Sequence, residues 1–506
     1  METLIKSRQR VQQFGEVFTP SWMVKKMLAV PDIQAALRDP ASKFLEPCCG
    51  EGAFLTEILR LKLFYHPAFP WHILRSLYGI EIQLDNLAYA RKNLAQIFAA
   101  HCRIDFEDPR IWQILNKNIF HGDVLKFQIP AVNQSLFEEE LILSKNPIAD
   151  AFKAHFGLTD QEIKNMVIIS NPPYQEDDRG DTSNYARPVY HKFLDEYHRT
   201  CERVMVIHPA RCLFNAGATP KDFNEKLLSD EHVKVAVYHA NSKEVFPNLD
   251  IKGGVAATYR DVNKNFGAIG TYIPYDELKL IHGKVFVSNK NFRPLNAIIY
   301  TQKLYKFSRK FYEENPGVQN LLTDGRTLKT NIFARLPHLF TEKKPDDGHE
   351  YAEIYGFQKG ERLFRFFRAD FIDDNINFRK YKVFIPEAYG GAGALNENGP
   401  TMLVGLPLVG CTETFVTLGA FDFEAEALAA EKYVKTKFLR ALLGVKKVTQ
   451  HASPEIWEYV PLQDFSAHSD IDWSRSVHEV DKQLYRKYGL DAREVAFIEA
   501  KVKAME

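Results

Sequence analysis

The chain is 506 residues long, enough for about two to four domains at roughly 150 residues each. Hydrophobic residues make up 45% and charged residues 26%, close to the globular average, which excludes a mini-protein, a collagen-like repeat and extensive disorder. Lys plus Arg (65) equals Asp plus Glu (65), so no whole-chain charge attracts a polyanion and any basic surface has to be local.

From the N-terminus, no stretch has the apolar core of a signal peptide, and no window approaches 18 uninterrupted apolar residues, so neither secretion nor membrane spanning is expected. The 6 cysteines form no C-x-x-C pair, which argues against a disulfide framework or a zinc ribbon and fits a reducing cytosol; no metal site is expected. Short apolar runs predict strands over 43–45, 77–82, 118–120, 166–170, 204–207 and 233–238. Apolar residues at spacings of three and four predict helices over 21–30, 54–63, 84–99 and 189–200. This alternation is that of an α/β, doubly wound sheet over residues 1–265. Beyond it, aromatic-rich irregular sequence with turn clusters near Tyr389 and over 396–400 predicts a mixed α+β domain over 266–460. Helical patterning over 423–443 and 472–503 sets off a helical C-terminal segment, 461–506.

Four strand ends in the first domain carry candidate chemistry. Glu46-Pro47-Cys48-Cys49-Gly50-Glu51-Gly52 runs from a strand through a glycine turn into a helix, and Gly50 and Gly52 let backbone approach a ligand closely. Such a turn alone is weak evidence, since many α/β proteins use one for packing. Glu81-Ile82 ends the next strand with a carboxylate suited to a ribose diol, and Asp123-Val124 follows a third strand with an acceptor suited to an adenine amine. Singly, either acid is more often a turn or cap residue; together they describe a groove for an adenosine-containing cofactor. Asn171-Pro172-Pro173-Tyr174 stops an apolar strand abruptly. An Asn side-chain oxygen and a prolyl carbonyl held together can accept both hydrogens of an exocyclic amine, and Tyr174 offers a face for a planar base.

These motifs resemble motifs I to IV of the S-adenosylmethionine-dependent DNA adenine-N6 methyltransferases. Phe14-Gly15-Glu16-Val17-Phe18-Thr19-Pro20 resembles their motif X, and its position ahead of motif I, with a long C-terminal half, resembles the gamma class from restriction-modification systems. The likeness covers about residues 11–260. It implies a Rossmann-like methyltransferase sheet in which S-adenosyl-L-methionine is held by Phe18, Thr19, Glu46, Pro47, Gly50, Gly52, Glu81, Ile82, Asp123, Val124 and Asn171. By the same likeness, Asn171, Pro172, Pro173 and Tyr174 are catalytic toward an adenine flipped from duplex DNA, with Tyr174 and Phe246 stacking on it. Thr19 could also cap the helix beginning near Ser21. Two departures are Gln83, where relatives often carry an acid, and the long spacer 126–165. A Pro47-Cys48 nucleophile of the cytosine-C5 type is disfavoured because it leaves Asn-Pro-Pro-Tyr unexplained.

The second half resembles a target-recognition domain only loosely. Residues 1–270 hold 32 basic and 33 acidic residues, against 26 and 21 in 271–450. Lys284, Lys290, Arg293, Lys303, Lys306, Arg309 and Lys310, interleaved with Phe286, Phe292, Tyr300, Tyr305 and Phe307, are the candidate DNA contacts, although such a run is as often a solvated face. Arg365, Arg368, Arg379, Lys380 and Lys382 are secondary candidates; for Lys446, Lys447 and Gln450 a contact to the DNA backbone competes with a place beside a packed helix. The E-x-K triplets at 277–279 and 499–501 lack a partner Asp, so no cleavage is expected, and any cognate restriction endonuclease would be encoded separately. The expected function is site-specific methylation of adenine N6 in double-stranded DNA, as the modification component of a restriction-modification system in a bacterial or archaeal cytosol. The competing readings are an RNA or protein-glutamine N-methyltransferase and a DNA-binding modification subunit that needs a partner.

Overall fold

The computed structural model describes residues 6, 10, 16–125, 147–176, 187–287, 289–322, 326–390, 395, 399–447 and 451–505. Phe14 and Gly15, spacer residues 126–146, the glycine cluster at 391–394, residues 396–398 and Gln450 lie outside the described residues. The chain divides into two compact units, Met1–Tyr272 and Ile273–Glu506; residues 461–506, expected as a helical segment, belong to the second and hold the helices Val477–Lys487 and Ala492–Lys501.

The first unit is built on a seven-stranded sheet. In chain order its strands are β1 (Phe44–Glu46), β2 (Leu77–Glu81), β3 (Ile119–His121), β4 (Val167–Ser170), β5 (Arg203–Pro209), β6 (Val233–His239) and β7 (Val255–Asp261). Their spatial order is β3-β2-β1-β4-β5-β7-β6, parallel except for β7, which runs antiparallel to both its neighbours. Successive side chains of a strand point to opposite faces, and apolar residues at every position bury both. Phe44, Val167, Ile169, Met205 and Ile207 pack with the helices α1 (Ser21–Leu28), α2 (Ala53–Tyr65) and α3 (Leu84–Cys102). Leu45, Ile80, Ile168, Val204 and Val206 pack on the other face with α4 (Tyr190–Thr200). This is the expected Rossmann-like sheet. Strand order reverses between β1 and β4, and ligands of such sheets bind outside the carboxyl ends at that switch point.

Four anticipated helices agree with α1 to α4 to within a few residues. Strand β7 was not among the expected strands. Its Ala256 and Ala257 dilute the apolar signal of Val255 and Tyr259, and only its position between β5 and β6 makes it a strand. Gly254 makes the turn into β7: its φ is +82°, and a Cβ there would lie 2.1 Å from the His239 carbonyl oxygen. The helix expected over 423–443 is two, Glu424–Lys435 and Lys437–Leu443, broken at Thr436, whose hydroxyl accepts from the Leu439 amide at 3.2 Å.

The second unit is of mixed α+β type. A four-stranded sheet joins Ile299–Tyr300, Phe415–Phe421, Tyr381–Pro386 and Leu403–Gly405, and a three-stranded sheet joins Glu361–Arg368, Tyr351–Gln358 and Val409–Cys411. Among the described residues, no helix is long and apolar enough to cross a membrane, and no group of His, Cys, Asp and Glu is placed to hold a metal ion.

The Gly254 geometry yields a stability prediction. Gly254→Ala adds a positive-φ penalty to a backbone clash that no side-chain rotation relieves, and should cost about 3 kcal/mol or more. Urea denaturation read by near-ultraviolet circular dichroism measures this, and a loss below about 1 kcal/mol contradicts the geometry.

Candidate functional site

The carboxyl ends of β1, β2, β3 and β4 open into one cavity of about 500 Å³, within the range of small-molecule sites. The glycine turn after β1 forms one wall. Gly50 has φ +52° and Gly52 φ +80°, and a Cβ at Gly50 would come within 3.2 Å of the Phe18 ring, so a side chain there would crowd Phe18. Gly52 leads directly into α2 as its N-cap, with no side-chain cap bond, so the amino end of that helix faces this turn.

Three carboxylates stand at the strand ends. Glu46 is buried at 3% exposure and accepts from the Leu55 amide at 3.3 Å. Burial, and then the neighbouring Glu81 charge, hold its pKa well above the ordinary 4.5, against the lowering effect of the Leu55 N–H. Glu81 accepts from the Gly50 amide at 2.7 Å and the Gln83 amide at 2.8 Å, so it ties the ends of β1 and β2 together. Its pKa is raised by burial despite those two donors. Asp123 accepts from the Leu125 amide at 2.9 Å, closing a turn after β3.

Asn171 follows β4. Its Nδ2 donates to the Val17 carbonyl at 3.0 Å and to the Thr19 hydroxyl at 3.1 Å. The Val17 carbonyl can only accept, so it fixes the amide orientation with Oδ1 facing away. Oδ1 is inaccessible to solvent and has no partner among the described residues. A buried acceptor left unpaired costs about 1–3 kcal/mol, so this oxygen stands out among the polar atoms of the site. Thr19 thus bonds to Asn171 and is not the expected helix cap: α1 is preceded by Pro20, with no side-chain cap bond.

Of the residues singled out in the sequence, Phe18, Thr19, Glu46, Pro47, Gly50, Glu81, Ile82, Asp123, Val124, Asn171 and Pro173 all line the cavity. Gly52, Pro172, Tyr174 and Phe246 are not on its wall. Tyr174 is partly exposed while its hydroxyl is buried without a partner among the described residues. Phe246 is 1% exposed and packed in the core, edge-on to Tyr174 with centroids 6.2 Å apart at 71°. The two rings do not form a parallel slot in this state.

Glu16, Asn86 and Asn93 also line the cavity and were not selected from sequence. Asn86 is 1% exposed and donates to Glu16 at 2.8 Å, and the second oxygen of Glu16 is another buried acceptor without a partner among the described residues. A signal existed for Asn86: it is an amide inside the apolar stripe of α3. Cys48 lies against the Tyr197 hydroxyl at 3.5 Å, which also meets Ser170 at 3.3 Å. Burial, reinforced by the surrounding acids, raises both the Cys48 and Cys49 thiols, which argues against a thiolate nucleophile.

In the second unit the basic run is partly neutralised. Lys284 pairs with Glu494 at 2.7 Å, Arg309 with Glu313 at 2.7 Å and Lys310 with Asp370 at 2.7 Å. Lys290, Arg293, Lys303 and Lys306 are exposed, with no ion pair among the described residues. Tyr305 and Phe307 of the interleaved aromatics are core residues, and Phe286 and Phe292 pack together beside Tyr459. Lys382 is a correction to the candidate contacts: it is fully buried, donates to the Phe378, Lys380 and Leu406 carbonyls, and burial lowers its pKa to about 7. Lys447 is likewise buried and donates to the Tyr389 carbonyl at 3.0 Å. Arg365, Arg368, Arg379 and Lys380 each pair with a carboxylate: Glu342, Glu314 and Asp370, Glu350 and Asp422.

Residues 75–246 match the family model described as Eco57I restriction-modification methylase. Over 281 residues the chain is 26% identical to an uncharacterized adenine-specific methylase of Mycoplasma pneumoniae, covering 47% of this chain and 65% of that protein, just under two thirds of its length. Similar solved structures include the ATP-dependent type ISP restriction-modification enzyme LlaBIII bound to DNA, at 13% identity and TM-score 0.40, covering 86% of this chain and 37% of that one. The type IIL restriction-modification enzyme MmeI in complex with DNA is another, at 10% identity and TM-score 0.41, covering 98% and 80%. The likeness that the motifs bear to adenine methyltransferases is thus matched by both the family model and the curated relative.

The ionisation of Glu46 gives a test of the site's electrostatics. Its folded pKa is raised above its unfolded value, so its contribution to stability is fully present below about pH 4.5 and is lost as pH rises through the folded pKa. Glu46→Gln keeps the shape and the acceptor for Leu55 without the charge. The melting temperature of the variant minus that of the wild type should therefore grow as pH rises from about 5 to 8; a difference independent of pH contradicts the burial argument.

Proposed function

We propose that the chain is a methyltransferase that moves the methyl group of S-adenosyl-L-methionine to N6 of an adenine flipped out of double-stranded DNA, as the modification component of a restriction-modification system. One observation carries the reading. Asn171 is held by Val17 and Thr19 so that its carbonyl oxygen stands buried and unpartnered at a cavity bordered by Glu46, Glu81 and Asp123. The match to an adenine-specific methylase and to a restriction-modification methylase model supports it.

The cavity suits an adenosyl cofactor in size and in the chemistry of its donors and acceptors. Glu46 would take the ammonium of the methionine end, beside Phe18, Thr19, Pro47, Gly50 and Gly52. Glu81 and Ile82 would bind the ribose, and Asp123 and Val124 the adenine. When bound, the cofactor supplies an electrophilic methyl on a sulfonium. The protein's part is alignment and polarisation. Asn171 Oδ1 and the Pro172 carbonyl would accept the two amine hydrogens of the target base, which draws the nitrogen lone pair out of conjugation and toward the methyl. Pro173 keeps that turn rigid, and Tyr174 would stack on the base. Phe246 would meet its other face after leaving its edge-on packing. The exposed Lys290, Arg293, Lys303 and Lys306 would contact phosphates, with Lys284, Arg309 and Lys310 joining them if their carboxylate partners yield. The setting would be the cytosol of a bacterium or archaeon, with any cognate endonuclease encoded separately.

Transfer of radiolabel from S-adenosylmethionine to duplex DNA, with RNA and protein as parallel acceptors, tests the substrate, and sequencing of modified adenines gives the site. Label appearing only on RNA or protein overturns the proposal. Asn171→Ala should lower turnover on the order of 10²- to 10³-fold while cofactor affinity by calorimetry changes little; near-normal turnover removes Asn171 from the reaction. Replacing Lys290, Arg293, Lys303 and Lys306 together by Gln should flatten the dependence of log affinity on log salt by about 0.9 for each phosphate no longer neutralised. An unchanged slope takes that surface out of the DNA interface.

A further inference from the structure

Arg211 lies in the short turn Ala210–Phe214 that follows β5. Strands β4 and β5 are paired with Ser170 opposite Val206, so Arg211 emerges at the same edge of the sheet as the Asn171-Pro172-Pro173-Tyr174 turn. Its stem is threaded between two glycines that both have left-handed backbone. A Cβ at Gly253, φ +85°, would lie 2.9 Å from its Cγ, and one at Gly217, φ +82°, 3.1 Å from its Cδ. The loop carrying Gly253 is itself tied down: Ser242 donates to the Leu249 carbonyl at 3.0 Å and accepts from the Ile251 amide at 2.8 Å, and Gly254 accepts from the Ala210 amide at 3.0 Å. The same loop carries Phe246, edge-on to Tyr174.

Both acids of this loop have basic partners, while exposed Lys243 has no ion pair among the described residues. Lys252 meets Asp250 at 2.9 Å and Glu244 meets His239 at 2.9 Å. Arg211 is half-buried and has no ion pair or side-chain hydrogen bond among the described residues. A partly desolvated guanidinium fixed by its stem, with no carboxylate partner among the described residues, is matched by an anion that accepts two parallel hydrogen bonds.

We propose that Arg211 is a phosphate-binding positioning residue, gripping a backbone phosphodiester next to the target adenine and so holding the flipped nucleotide at Asn171. The inference rests on the proposed DNA methyltransferase function. It assigns a purpose to the two glycines at 217 and 253, which leave room for the stem and set the direction of the fork.

The test uses the full chain with S-adenosylhomocysteine and a duplex bearing the mapped methylation site, in which single phosphates are replaced by neutral methylphosphonates. Affinities come from fluorescence anisotropy. Arg211→Gln should weaken binding of the native duplex roughly ten- to a hundredfold and lower the salt slope by about 0.9. At one phosphate beside the target adenine, the methylphosphonate should weaken the wild type by a similar factor and the variant hardly at all, a non-additive pair. Cofactor affinity should stay unchanged, since the ligand is a phosphodiester and not the cofactor's carboxylate. Arg211→Lys, which keeps the charge but not the fork, should retain the slope, lose part of the affinity and respond less to that methylphosphonate. If the Gln variant fails to fold, the Lys variant alone decides, and a wild-type profile for it overturns the proposal. Additive losses at every phosphate flanking the adenine also overturn it. Methyl transfer by the wild type to the same duplex separates the two readings: no transfer sinks the DNA methyltransferase assignment, whereas transfer with additive losses sinks only the role of Arg211.

Discussion

The orientation of one side-chain amide governs the candidate site. Asn171 has a donor end and an acceptor end, and the two oxygens of Val17 and Thr19 take the donor end. What remains is a carbonyl oxygen with no partner among the described residues, kept from solvent at the end of β4. Thr19 and Asn171 are 152 positions apart in the chain. The segment before α1 therefore sets the polarity of the turn after β4.

The sheet supplies the second constraint. Because strand order reverses between β1 and β4, the two turns that follow them diverge and leave a crevice. Glu81 then stitches the floor of that crevice, taking one amide from the glycine turn and one from its own. Tyr197 does comparable work behind the wall, where its hydroxyl touches both Cys48 after β1 and Ser170 just before Asn171. Strand ends and supporting hydrogen bonds of this kind hold a site's geometry more closely than loops alone.

Much of this was legible in the sequence because it is local. A glycine turn between strand and helix, acids at strand ends and an Asn-Pro-Pro-Tyr stop are each written in a few consecutive residues. Strand β7 was not, since its alanines give a weak pattern and its place depends on β5 and β6. The pairing of Thr19 with Asn171 was also hidden, because a threonine beside a helix start reads equally well as a cap. Basic residues of the second unit show the same limit. Composition alone does not distinguish exposed Lys290 from Lys382, which is wrapped by three carbonyls.

The position of β7 also separates sequence likeness from autonomy. The segment shared with the restriction-modification methylase model, 75–246, contains β2 to β6 but neither β1 nor β7. In the sheet, β1 bridges β2 and β4, while β7 bridges β5 and β6. A fragment cut at the limits of that match would break into three islands, a β2–β3 pair, a β4–β5 pair and a lone β6, each with raw edges. Sequence likeness here is drawn along the chain, whereas foldability needs the two strands lying just outside it.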